Sequence, residues 1–126
     1  MEIKLTKEES ENYFLNALCN GLGELSGYSV ELHYTDEDYK SAKAKLAETS
    51  PCYEDVLMQI LKDGNGLKFI DMEGGEDTVT ITMDDVYAKM PLVPFQHLSA
   101  MILENDDAVT ADVILQTIIY GDTIFA

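Results

Sequence analysis

The sequence predicts an α+β domain over residues 1–126. It should comprise a small, mainly antiparallel sheet of about three strands, a hairpin over 67–83 plus a strand over 29–34, covered by about five or six helices. Three observations lead there. The stretch LKFIDMEGGEDTVTITMDD, Leu67 to Asp85, joins an apolar run to an alternating one across a glycine-marked turn. Several other segments repeat apolar residues at the helical spacing i, i+3, i+4, i+7. A chain of 126 residues, 46% of them hydrophobic, suits one core that buries roughly two-thirds of the surface its unfolded form exposes.

In the hairpin, Val79, Ile81 and Met83 alternate with Thr78, Thr80 and Thr82, the period-2 pattern of a half-buried strand. Its partner is Leu67 to Met72, and Glu73-Gly74-Gly75-Glu76-Asp77 closes the loop with three carboxylates at an exposed tip. Upstream, Thr6 and Glu9 have capping-box spacing, so a helix starts there and buries Phe14, Leu18, Leu22 and Leu25. The glycines at 21, 23 and 27 end or loosen it. Val30, Leu32 and Tyr34 share one face of the strand that follows. Thr35 caps a second helix with acids in its first turn and lysines further along, as the helix dipole favours, and its thin stripe of Tyr39, Ala42 and Leu46 places it at the periphery.

Ser50-Pro51 supplies a cap and an N1 proline for a third helix, whose Tyr53, Val56, Leu57, Ile60 and Leu61 match the amphipathic template. Asp63-Gly64-Asn65-Gly66 stops it. After the hairpin, Thr82 caps a short helix that ends before Pro91 and Pro94. Phe95, Leu98, Met101 and Ile102 give an amphipathic helix, closed by Glu104-Asn105-Asp106-Asp107. Thr110 caps the last, Ala111 to Tyr120, with Gly121 at its C′ position. Its apolar residues cover most of its circumference, so it is the central core helix or half of a subunit interface.

Charge narrows the functional classes. There are 24 Asp plus Glu against 8 Lys plus Arg, a formal net charge of −16, and every basic residue is Lys. Nucleic-acid binding needs a basic surface and commonly Arg forks, and anionic membranes need a polybasic patch. Direct nucleic-acid or membrane partners are therefore not expected. Cys19 and Cys52 are isolated, which suits a reducing compartment, and both are expected in the core. The chain begins without a signal-like segment and holds no apolar run of about 20 residues, so a cytoplasmic location is expected.

Chemical motifs are sparse. His33 and His97 have no ligand at i+3 or i+4, and no metal site or cofactor is expected. Asp63-Gly64-Asn65-Gly66 opens like a calcium loop, but Leu67 and Gly74 stand where the fifth and twelfth ligands belong. Gly23-Glu24-Leu25-Ser26-Gly27 has its serine one residue late for a nucleophile elbow. No catalytic residue is assigned and no enzyme is expected. Glu54, Asp55, Asp84 and Asp85 suit helix N-termini. The candidate binding surface is the acidity itself: Asp71, Glu73, Glu76, Asp77, Asp84, Asp85, Glu104, Asp106 and Asp107. After Lys89 there is no Lys or Arg. Carboxylates about 5–6 Å apart along helices can imitate the phosphate spacing of nucleic acid.

The hairpin phrase FIDMEGGEDTVTITMDD and the tail Ala111-Asp112-Val113-Ile114-Leu115-Gln116 with Tyr120-Gly121 resemble small acidic proteins encoded by phages and mobile elements of gut bacteria. That resemblance implies no catalytic residue. It does bring in DNA mimics and inhibitors of host defence nucleases such as anti-CRISPR proteins. Together these features predict a non-enzymatic interaction module, a phage-type DNA mimic, whose partner is a basic, nucleic-acid-binding protein. The alternative is a self-assembling accessory protein, a homo-oligomer built on Ile114, Ile118 and Phe125.

Overall fold

A computed structural model describes residues 4–103 and 107–125. The helices are α1 (Lys7–Gly27), α2 (Asp36–Lys45), α3 (Tyr53–Lys62), α4 (Met83–Lys89), α5 (Phe95–Ile102) and α6 (Ala108–Tyr120). The strands β1 (Val30–His33), β2 (Leu67–Asp71) and β3 (Val79–Ile81) form one antiparallel sheet in the order β1-β2-β3. The α+β expectation is met. Among the described residues no helix is long and apolar enough to cross a membrane.

Local chemistry sets most boundaries. At the start of α1 the Glu9 amide donates to Thr6 Oγ1 and the Thr6 amide to Glu9 Oε1, both at 3.0 Å, which satisfies two otherwise orphaned donors. Thr35 accepts from the Asp38 amide at 3.1 Å to open α2. Gly121 closes α6 at φ +83°, in the left-handed region where a Cβ is penalised. Two starts and one end differ from expectation. Helix α3 begins after Pro51, with Ser50 itself left-handed and the Cys52 amide donating to Asp55. Helix α6 begins three residues early, because Asp107 accepts from the Thr110 amide and Thr110 is already inside the helix. Strand β3 stops at Ile81, since Thr82 and Asp85 turn the chain into α4 and take Met83 with them.

Packing centres on α6, in which every residue from Thr110 to Ile119 is buried. It lies along α1, which offers Phe14, Ala17, Leu18, Gly21 and Leu25 as one stripe. Of the three glycines expected to end or loosen it, α1 runs through Gly21 and Gly23 and ends at Gly27. The reason at Gly21 is proximity: a Cβ there would stand 2.9 Å from Leu115 Cδ1 and 3.0 Å from the Ala111 carbonyl carbon. Cys19 falls off the buried stripe and Cys52 sits at the head of α3, so both are exposed free thiols rather than core residues. On α5 Leu98 and Met101 are buried, while Phe95 and Ile102, at one edge of the same apolar face, are exposed. The sheet buries Leu67, Phe69 and Ile81 and turns Glu31, His33, Lys68 and Thr80 to solvent.

The two α1 glycines separate packing from helix propensity. Gly21→Ala is expected to lower stability by about 1–3 kcal/mol through overpacking against α6. Gly23→Ala, with open space around it, is expected to raise stability by about 0.5–1 kcal/mol. Denaturant unfolding of both variants checks the pair, and a gain at both positions would contradict the close approach.

Candidate functional site

The hairpin loop is built around one carboxylate. Asp71 ends β2 on the core side of the sheet and is only 7% exposed. Its Oδ1 accepts from the Glu73 amide at 3.0 Å and its Oδ2 from the Glu76 amide at 2.9 Å. Its carbonyl accepts from the Gly74 amide at 3.0 Å, and Gly74 takes φ +78° to complete the turn. Glu73, Glu76 and Asp77 consequently project outward from a loop whose backbone is held from within. Asp71 thus belongs to the scaffold of the tip rather than to its exposed surface. Tyr120, at the end of α6, lies behind it, and burial with the nearby charges of Asp71 and Glu76 pushes its phenol up.

The remaining acidic candidates are spread out. Asp84 is exposed on the first turn of α4, at the end of β3 away from the loop. Asp85 is half-buried and accepts from the Thr82 amide at 2.8 Å, a cap for α4. Asp107 caps α6 at the end opposite Tyr120, and 13 residues at 1.5 Å rise separate those ends by about 20 Å. Glu104 and Asp106 lie outside the described residues. The candidates therefore form separate groups at the hairpin tip, the head of α4 and the head of α6.

The apolar candidates fall differently. Ile114 and Ile118 are wholly buried within the single chain, so neither is available as a self-assembly surface. Phe125 is half-buried and stacks on Tyr28, with ring centroids 5.1 Å apart. Exposed apolar side chains among the described residues include Leu92, Phe95, Ile102, Leu103 and Val109 around α5 and the head of α6, with Met72 at the hairpin and Ile124 near the C-terminus.

A polar network that the sequence pattern does not reveal ties the C-terminal segment to α6. Asp112, 9% exposed, accepts from the Tyr28 hydroxyl at 2.7 Å and from Gln116 Nε2 at 2.9 Å. Gln116 Oε1 accepts from the Ile124 and Phe125 amides, both at 2.8 Å. The bond to Asp112, with burial adding, pushes the Tyr28 phenol up to about 12. Only the helical position of Asp112, one turn before Gln116, could have signalled the pair in sequence.

The titratable side chains of usual catalytic interest lie apart. His33 is on the open sheet face 3.7 Å from Glu31, and His97 Nδ1 is 3.1 Å from Thr110 Oγ1. Burial, with Glu54 adding, pushes the Cys19 thiol up, which disfavours its thiolate. Among the described residues no three His, Cys, Asp or Glu side chains converge as a metal site.

Two outcomes follow. Asp71→Asn replaces one acceptor by a donor facing an amide, and is expected to lower stability by about 1–3 kcal/mol in thermal melts. Hydrogen bonds from Lys45 and Gln59 hold the Asp63 carboxyl below its usual value, so its stabilisation is present above about pH 4 and is lost as pH falls through the lowered pKa. Asp63→Asn is then expected to be less stable than the native chain at neutral pH, the gap narrowing below about pH 4. A gap constant with pH would contradict the assignment.

Comparison with protein-family models, with curated proteins and with solved structures returns no match to this chain.

Proposed function

We propose that this chain is a non-enzymatic interaction module that engages a basic, nucleic-acid-binding protein through its acidic hairpin tip, acting as a mimic of nucleic acid. The observation that carries the reading is the anchoring of the loop by Asp71. A buried carboxylate fixes two loop amides, so Glu73, Glu76 and Asp77 are presented on an ordered backbone. Such preorganisation removes part of the ordering entropy that binding otherwise loses. The charge balance adds long-range attraction for a cationic partner: net −16, no Arg, and no Lys beyond position 89. The resemblance to small acidic phage and mobile-element proteins points to the same class of partner.

The experiment is affinity capture from a nuclease-treated bacterial lysate with elution in rising salt, then titration of the recovered protein against native chain and the triple variant E73K/E76K/D77K. The native chain is expected to bind a basic nucleic-acid-binding protein with affinity that falls steeply with salt. The variant is expected to bind at least about tenfold more weakly with a shallower salt slope. Equal affinity and equal slope in the two chains would remove the tip from the interface.

A further inference from the structure

At the head of α6 lies a concave pocket of about 320 Å³. Val109, Val113 and the ring of Phe125 make it mainly apolar, Tyr28 stacks on Phe125 at its side, and two carboxylates, Glu24 and Asp112, border it. We propose that this pocket binds a primary alkylammonium group, the apolar walls taking the methylene stem and Asp112 with Glu24 taking the charge.

Asp112 supplies the buried charge. It is nine-tenths buried, and its two described hydrogen bonds come from neutral donors, the Tyr28 hydroxyl and the Gln116 amide. Among the described residues it has no ion-pair partner. A buried carboxylate without a counter-charge is unfavourable, and a bound cation would relieve it. A carboxylate accepts up to about four hydrogen bonds, so acceptor capacity remains for an ammonium. The walls suit the rest of such a ligand. A long amine buries its stem along apolar surface, and an electron-rich aromatic face attracts the cation.

Helix termini bear on the same point. The last turns of α1 supply Glu24 and Tyr28, and that turn holds no basic residue, so the negative end of a 21-residue helix is left uncompensated beside the pocket. The head of α6 acts in the opposite sense, but Asp107 caps it. Gln116 keeps the C-terminal wall in place by accepting from the Ile124 and Phe125 amides. The pocket's lining residues come from α1, α6 and the C-terminal segment, and none from the hairpin loop.

The test is a ¹⁵N-resolved NMR titration of the full chain at neutral pH in about 0.1 M NaCl, where screening acts over about 10 Å. The probes are n-pentylammonium chloride and its neutral counterpart 1-pentanol. Pentylammonium is expected to shift the Val109, Val113 and Phe125 amides together and to bind at least about tenfold tighter than the alcohol. Glu24→Gln, a change at an exposed side chain, is expected to weaken the amine about threefold or more while leaving the alcohol unchanged. Asp112→Asn should abolish the preference for amine over alcohol, and if that variant does not fold, Glu24→Gln alone decides. Equal affinity for the two probes, or shifts scattered over the acidic surface and unaltered by Glu24→Gln, would overturn the proposal. N-acetyl-lysine N-methylamide identifies the source: binding like pentylammonium supports a lysine side chain of a polypeptide, and exclusion with pentylammonium still bound supports a free small amine.

Discussion

The rest of the structure depends on the close approach of α1 to α6. Gly21 has no Cβ, so α1 comes close to the Ala111 backbone and the Leu115 side chain, and α6 is enclosed from Thr110 to Ile119. Helices α4 and α5 and strand β3 also pack on α6, so a shift of α6 would disturb each of them. Its interior polar residues are accommodated individually. Thr117 donates to the Val113 carbonyl at 2.7 Å, and Asp112 with Gln116 form the network that holds the C-terminal segment. Burial of ionisable and amide groups on a core helix is tolerable only with such partners.

Around that core the 24 acidic residues divide by role. Glu9, Asp55, Asp85 and Asp107 accept from backbone amides at helix starts. Backbone bonds hold the carboxyls of Glu9 and Asp107 below their ordinary values, to Thr6 for the first and to Thr110 for the second. Asp63, Asp71 and Asp112 are largely buried and tie one segment to another. Glu73, Glu76, Asp77 and Asp84 have no such internal duty among the described bonds and face solvent. A charge of −16 repels itself and opposes compaction, so carboxylates that serve caps and loops are part of how the fold tolerates its own composition.

Much of this was legible because local chemistry and local geometry coincided. The Thr6–Glu9 box, the Thr35 cap, the alternation in β3 and Gly121 all sit where short-range rules place them. The misplacements came from long-range effects. Cys19 looks like a core residue until the α1 stripe is fixed, and the packing role of Gly21 is hidden until α6 is known to lie against it. Ile114 and Ile118 fit a core or an interface equally well by periodicity, and only assembly of the whole chain places them inside. Asp71 was visible as one acid among several, but its burial and its hold on the loop amides require the pairing of β2 with both neighbours. The Asp112 pocket joins α1, α6 and the C-terminal segment, positions 84 residues apart between Tyr28 and Asp112, beyond any local pattern.

The central claim is that a core built on α1 and α6 carries an acidic loop held in one conformation by Asp71. Residue-resolved amide hydrogen exchange tests it most directly. The account predicts that α1 and α6 amides exchange most slowly, through global opening, and that the Glu73 and Glu76 amides exchange well below free-peptide rates. Free-peptide exchange at Glu73 and Glu76, or α6 amides exchanging as fast as those of the peripheral helix α2, would contradict it.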